Sequence, residues 1–293
     1  MANTVVWNKH DYVTKLRQRL NKPTNWMDIM NVKYSDIRTI VNALISVEPS
    51  VVAGTRGTAY NYEDFTIAAD TLTVDQLKQI PIFIDEADRY QQSYFSQMEI
   101  ADFQGRKINE LLEAQVLAQH TSWTDFGQGD LDNTSANDTT QITVSATNID
   151  DIVRAMKRKI YKNSGIDAAS EYGFFSIWRP EDYEFLEGFV QANGFNEADV
   201  ALKNGIPVGM KYLGMWHYLS NDHTANHVFA GVRKLGKDLG ILRSTYGRAK
   251  FIEDPAKLSG LGIVSRVDYG FSFPSAGVSG RTLKGLSIDL NVA

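Results

Sequence analysis

The sequence contains no cysteine, which removes disulfide scaffolds, thiolate zinc sites, iron–sulfur clusters and cysteine nucleophiles from consideration. It also lacks any surplus of positive charge. Against 35 Asp and Glu stand 30 Lys and Arg, a net −5 at pH 7, so a protein that grips duplex phosphate over a whole face is excluded. No window approaches the ~18 apolar residues of a membrane-spanning helix, and Met1 to His10 lacks the apolar core of a signal peptide. The expectation is a chain with no membrane partner, made and kept in a cytosol or in something assembled there. What remains is an ordinary folding composition, 43% hydrophobic and 22% charged over 293 residues, enough for one large domain or two modest ones.

Along the chain, Asp11 to Leu20 reads as a short helix that stops before Pro23. Ser35 stands as an N-cap before a second helix over Asp36 to Ser46, with Ile37, Ile40, Val41 and Leu44 at three- and four-residue steps. From Val47 to Phe83 the pattern turns extended, with β-favouring Tyr60, Tyr62, Phe65 and Ile67 around Gly54-Thr-Arg-Gly57. This reads as a long two-stranded excursion. An isolated hairpin is marginal in water, so such an element needs a partner surface, commonly on another subunit.

The strongest element is the proline-free run Asp85 to His120, where Tyr94, Met98, Ala101, Gly105, Ile108 and Leu112 alternate steps of four and three. Ala101 and Gly105 narrow its middle for close approach of another backbone, and Asp85, Glu86 and Asp88 suit a helix N-terminus. At 1.5 Å per residue it would span about 50 Å. A polar loop over Trp123 to Thr140 follows, then a short strand at Ile142 and Val144. A basic helix capped by Asn148 runs over Ile149 to Lys162, a strand over Phe174 to Trp178, and a helix over Glu181 to Gln191. Gly205 to Val232 reads as strands of a mixed layer. Alternation at Ile263, Ser265, Val267, Tyr269, Phe271 and Phe273, and again at Leu286, Ile288 and Leu290, makes the C-terminal part sheet.

Signals for catalysis are broken. Gly231-Val-Arg-Lys-Leu-Gly236-Lys237-Asp238 has the spacing of a phosphate-binding loop, but its eighth position is an acid where a hydroxyl is needed. His217, His223 and His227 lie close enough in sequence to suggest a metal-dependent hydrolase, yet no Glu stands beside His223 as base, and a solvated turn is the simpler reading. Gly277-Val-Ser-Gly280 is not a nucleophile elbow. The basic run Arg154, Lys157, Arg158, Lys159, Lys162 could touch phosphate, but a charge run is more often one solvated face. No catalytic residue, metal or cofactor is expected.

The order of elements resembles the major capsid protein of tailed bacteriophages, the Hong-Kong-97-type fold. The likeness is carried by Ile82-Phe-Ile-Asp-Glu-Ala-Asp-Arg89 running on to Leu117, by Tyr172-Gly-Phe-Phe-Ser-Ile-Trp-Arg-Pro180 and by Val228-Phe-Ala-Gly-Val-Arg-Lys-Leu-Gly236. The resemblance implies an α+β fold with an N-terminal arm (1–46), an E-loop overlapping a neighbour (47–83), a spine helix and peripheral domain (84–147), an axial domain (148–250) and return strands of the peripheral domain (251–293). It implies self-assembly into pentamers and hexamers of an icosahedral shell around double-stranded DNA, held without specific binding, and localisation in a virion assembled in the host cytoplasm. Separate scaffold and portal proteins would be its partners. Arg56, Tyr60, Tyr62, Phe65 and Ile67 are the expected inter-subunit contacts. Some members weld subunits through a Lys–Asn bond; here the only hairpin lysine, Lys78, lies near the base, so no cross-link is expected. An encapsulin compartment shell is the alternative within the same fold.

Overall fold

A computed structural model describes residues 9–22, 24–45, 54, 56–57, 67–85, 94–192, 210–221, 226–253, 260–273 and 287–293. Two of its helices reflect clear periodic patterns in the chain. Helix α3 (Tyr94–Leu117) buries Gln97, Ala101, Gln104, Ile108, Leu112 and Val116 along one stripe, while α1 (Lys9–Leu20) buries Tyr12, Leu16 and Leu20 at four-residue steps. The two stripes meet at Gly105. A Cβ there would stand 2.9 Å from Cβ of Arg19 and 3.4 Å from the Leu16 carbonyl oxygen, so only glycine lets α1 lie this close. The short α2 (Asn25–Ile29) adds Trp26 and Ile29 to the same core.

Helix α3 rests on a five-stranded sheet built around one long strand, β12 (Gly260–Ser272). Along one edge of β12 runs β4 (Gln76–Asp85), antiparallel from Gly260 opposite Asp85 to Tyr269 opposite Gln76. Its other edge carries β11 (Ala249–Glu253) and β10 (Asp238–Leu242), with β1 (Asn31–Ser35) parallel beyond β10. Pro81 is tolerated because β4 is an edge strand, where a missing N–H leaves no inner ladder broken. Gln104 ties helix to sheet: its Oε1 accepts from Tyr12 Oη at 2.7 Å and Ser265 Oγ at 2.5 Å, and its Nε2 donates to the Ile80 carbonyl at 3.1 Å.

The second sheet has six strands in the order β5 (Thr124–Phe126), β13 (Ser287–Asn291), β9 (His227–Val232), β6 (Phe174–Trp178), β8 (Met215–Leu219) and β7 (Met210–Tyr212). Both of its faces are covered. Phe174, Trp178, Met215, Val228, Ala230, Ile288 and Leu290 face a core made with α5 (Ile149–Tyr172) and α6 (Pro180–Ala192). Their neighbours one residue along, Phe175, Ile177, Tyr218 and Phe229, join the core beneath α3. Strand β6 is therefore buried at every position, as a central strand between two layers must be.

Between β1 and β4 the chain leaves as a two-stranded ribbon, β2 (Thr39–Ile45) against β3 (Ile67–Thr73), antiparallel from Thr39 opposite Thr73 to Ile45 opposite Ile67. The base of this ribbon sits in a depression made by glycine. Gly240 and Gly270 face one another across the β10–β12 ladder. A Cβ at Gly240 would stand 3.0 Å from Cδ2 of Leu72, and one at Gly270 would fall on the Thr73 carbonyl oxygen. Leu72 and Val74 are both buried there.

Three sequence expectations are corrected. The helix over Asp36 to Ser46 is strand β2: Thr39, Ile40, Val41 and Ile45 are β-branched, and Ser35 Oγ accepts from Ile37 N at 3.1 Å as a local turn, not as a helix cap. The spine does not start at Asp85, which ends β4 opposite Gly260; α3 has 24 residues, about 36 Å, and Glu86 and Asp88 lie outside the described residues. The strand at Ile142 and Val144 reduces to one bridge, Ile142 to Val292. The seat of the ribbon gives a test. Gly270→Ala should lower the stability of the isolated chain by about 1–3 kcal/mol in urea unfolding, whereas Gly188→Ala, in α6 with nothing within 4 Å of its added Cβ, should gain up to about 1 kcal/mol. Equal effects would refute the seat.

Candidate functional site

The expected contact residues divide between described and undescribed chain. Arg56 is exposed in a turn with Gly57, whose φ of +93° favours glycine. Ile67 opens β3 opposite Ile45. Tyr60, Tyr62 and Phe65 lie outside the described residues. What the structure adds is apolar surface at the ribbon's base and beside it: Ile37 and Val41 are 67% and 64% exposed, and Phe83 on edge strand β4 is 51% exposed. Sequence reasoning had placed Ile37 and Val41 on the buried stripe of a helix. Val41 is exposed because a two-stranded ribbon seated on the sheet by one face leaves its other face to solvent, and Ile37 lies in the bend just before β2. Lys78, the hairpin's only lysine, lies on β4 opposite Val267, inside the sheet and away from the ribbon.

The catalytic alternatives come apart on geometry. Strand alternation puts His217 of β8 on the α5–α6 face and His227 of β9 on the α3 face, so the two cannot share an ion; His223 lies outside the described residues. Lys237 of the phosphate-loop spacing points inward. Its Nζ donates to the Val232 carbonyl at 2.6 Å and sits 4.6 Å over the Phe175 ring, where burial pushes its pKa down to about 7. A strand, β10, follows where a phosphate loop requires a helix, and Asp238 is taken up by Lys33 and Asn31 of β1 at 2.8 Å each.

The basic face of α5 is occupied as well. Lys159 Nζ pairs with Asp130 at 2.8 Å, Arg158 donates to the carbonyls of Asp130 and Leu131, and Lys157 donates to the Leu213 carbonyl at 2.7 Å. Asp130, on the short helix α4 (Gln128–Leu131), also accepts from the backbone N–H of Asn137 and Asp138, so these charges fix α4 and the loop that follows it to Asp138. Arg154, Lys157, Arg158, Tyr161, Lys162 and Leu213 line an open hollow of about 690 Å³ on this face. Such a hollow is a side effect of cations reaching down to loop carbonyls.

His217 is the most perturbed of the sequence-predicted histidines. Ser176 Oγ stands 2.6 Å from its Nδ1 and accepts from Trp178 Nε1 at 2.7 Å, while its Nε2 stands 3.2 Å from the Tyr212 carbonyl. With the hydroxyl donating to Nδ1 and Nε2–H donating to the carbonyl, every partner is satisfied by the neutral ring. Burial lowers the pKa from 6.5 to about 4. The unfolded chain thus takes up a proton below about 6.5 that the folded chain refuses until about 4, so stability falls as pH falls through that window. The loss should reach about 3 kcal/mol in urea titrations of the isolated chain. His217→Gln should remove that part of the slope; an unchanged slope would show that the ring is not neutral in the fold.

No protein-family model matches the sequence, and no curated protein matches it. Solved structures do. A structure from Mycobacterium phage Che8 superposes with a TM-score of 0.59 at 15% identity, over 87% of this chain and 84% of that one. The capsid of the cyanophage P-SCSP1u gives 0.58 at 13% identity, over 93% and 89%. A virus-like particle from Pyrococcus furiosus gives 0.58 at 10%, over 98% and 100%. At such identities the likeness concerns the fold alone: this mixed α+β chain shares its fold, over most of its length, with structures of phage capsids.

Proposed function

We propose that this chain is the shell-forming subunit of a tailed-phage-type capsid, assembling with copies of itself into pentamers and hexamers of an icosahedral shell that encloses double-stranded DNA. The observation that carries the reading is the β2–β3 ribbon, which leaves the body with Ile37 and Val41 exposed at its base, in a fold shared with phage capsids. Head-to-tail contacts of this kind close into rings, and rings of five and six made from one chain close a shell. The role of the E-loop falls to this ribbon, beginning at Thr39 and not at Val47, and α3 takes the role of the spine. Arg56, Tyr60, Tyr62, Phe65 and Ile67, which in the sequence follow β2 and run up to the start of β3, remain the proposed contacts.

The proposed role is structural, without catalysis. The similar folds belong to capsids, and His217 and His227, two of the three histidines that suggested a hydrolase, lie on opposite faces of a sheet. Scaffold and portal proteins are the proposed partners, and the virion, assembled in the host cytoplasm, is the proposed location. A net −5 subunit suits a wall that must contain DNA without holding it. The encapsulin reading is not favoured over the phage capsid.

Electron microscopy of the purified full-length chain should show rings or closed shells, with nuclease-protected DNA inside particles made in the host. A monomer at high concentration would overturn the shell reading, and a protein cargo in place of DNA would favour encapsulin. Burying an aliphatic side chain is worth about 1.5–3 kcal/mol, so Ile37→Asp with Val41→Asp should raise the concentration needed for assembly by more than about tenfold while leaving a folded subunit. Boiled in denaturant, shells should run as one band near 32.8 kDa with no covalent ladder.

A further inference from the structure

Five aspartates are buried among the described residues: Asp130, Asp182, Asp238, Asp268 and Asp289. Four of them have a fixed cation. Asp130 pairs with Lys159, Asp182 with Arg179, Asp238 with Lys33 and Asp268 with Arg266. Asp289, only 3% exposed, faces two histidines instead: Nδ1 of His227 lies 2.9 Å from one carboxylate oxygen and Nδ1 of His120 lies 3.1 Å from the other. A carboxylate removed from water without a countercharge is costly, and neutral imidazoles supply hydrogen bonds but no charge. The three side chains come from separate elements. His120 is on the 3-10 turn (Ala118–Ser122) that follows α3, His227 is on β9, and Asp289 is on β13 beside it, all on the α3 face of the six-stranded sheet.

We propose that His120, His227 and Asp289 form a site for a divalent ion of the zinc class, which clips the C-terminal end of α3 to strands β9 and β13. The donor set is two imidazole nitrogens and one carboxylate oxygen, with all three ligand atoms within 4.8 Å of one another. Tetrahedral zinc with bonds near 2.0 Å holds its ligand atoms about 3.3 Å apart; each imidazole now faces a different oxygen of Asp289, at 2.9 and 3.1 Å, so whichever oxygen binds, one imidazole opens by a few tenths of an ångström and the other adjusts from a separation within 4.8 Å. The imidazole rings lie 4.3 Å apart and tilted, each one-fifth exposed, while the carboxylate is sealed beneath them. An ion therefore enters from the solvent side and keeps water as its fourth ligand. Coordination uses the Nδ1 lone pairs: in the empty site each neutral ring donates its Nδ1–H to the carboxylate, and as the ion enters each ring gives up that proton and takes one from solvent on Nε2, so no proton is released overall and the charge of the cluster passes from −1 to +1. Asn291, directly opposite His227 in the ladder and on the same face, has a buried Nδ2 with no hydrogen-bond partner among the described residues, which leaves an amide free to turn towards the bound water. Nothing in the shell reading depends on this site.

The test is calorimetric titration of the chelator-stripped full-length chain with Zn²⁺, and with Co²⁺ read by its visible absorption. One ion per chain is expected, with a Co²⁺ spectrum of tetrahedral nitrogen and oxygen ligation. His120→Gln and His227→Gln should each weaken binding by more than the roughly 10–100-fold that loss of an outer-shell partner costs, while His217→Gln, on the opposite face, should leave it unchanged. A hundredfold excess of Zn²⁺ over its dissociation constant should raise the unfolding temperature by on the order of 5 °C, reversed by chelator. Absence of stoichiometric binding, or an octahedral all-oxygen Co²⁺ spectrum, would overturn the proposal without recourse to any variant. So would binding that survives both histidine substitutions.

Discussion

The body of this subunit hangs on Gln104. One neutral side chain in the middle of α3 takes hydrogen bonds from α1 and β12 and gives one to β4, so the long helix, the N-terminal helix and the main sheet share a single buried polar node. An apolar residue there would pack the same volume and fix nothing, because hydrophobic contact has no direction. The amide has direction. It sets the rotation of α3 about its axis, and that rotation puts Gly105 under Arg19 and aims Ile108 and Leu112 at the core. The node is fully sealed, which makes each of its bonds count and makes a missing partner expensive.

A second constraint is made of absent atoms. Gly240 and Gly270, opposite one another on neighbouring strands, leave a bare patch of backbone in which Leu72 and Val74 can lie. Through that seat the ribbon is held at its root by the same sheet that holds the helix. Beside this fixed root the apolar side chains of Ile37 and Val41 are left in water. Apolar surface left over next to a well-packed core is surface that a partner can cover.

Elements with an unambiguous period were readable from the sequence: the four-residue steps of α1, the stripe of α3, the apolar run of β6, the face of α6 and the alternation of β12. Strand β2 was not, since Ile37, Ile40, Val41 and Leu44 satisfy a helical stripe and are also β-favouring residues. The partner Ile67–Thr73, which settles the matter, is more than twenty residues away. The start of α3 failed for a related reason: Ile82, Phe83 and Ile84 continue an apolar run into the acidic segment, and only the pairing with β12 shows that they are strand. Among candidate sites the error was one of distance. His217, His223 and His227 were grouped because they are neighbours in sequence, but the six-stranded sheet turns the first and last to opposite faces. It brings His227 instead to His120 and Asp289, 107 positions before it and 62 after it. No local spacing carries such a signal.

The buried ion pairs complete the account of how one sequence settles on one register. Removing a matched pair of charges from water gains little net stability, and apolar replacements are often as good or better. Yet here the pairs recur where one element meets the next: Lys33 of β1 with Asp238 of β10, Lys159 of α5 with Asp130 of α4, Arg179 with Asp182 at the start of α6. A slip of β1 by one residue would turn Lys33 to the other face of the sheet and strand Asp238 without its cation, a penalty that hydrophobic packing alone would not impose. Because β1 leads directly into the ribbon, a slipped β1 would also shift the root of the ribbon on its seat at Gly240 and Gly270. Charge pairing at these junctions therefore serves register more than stability.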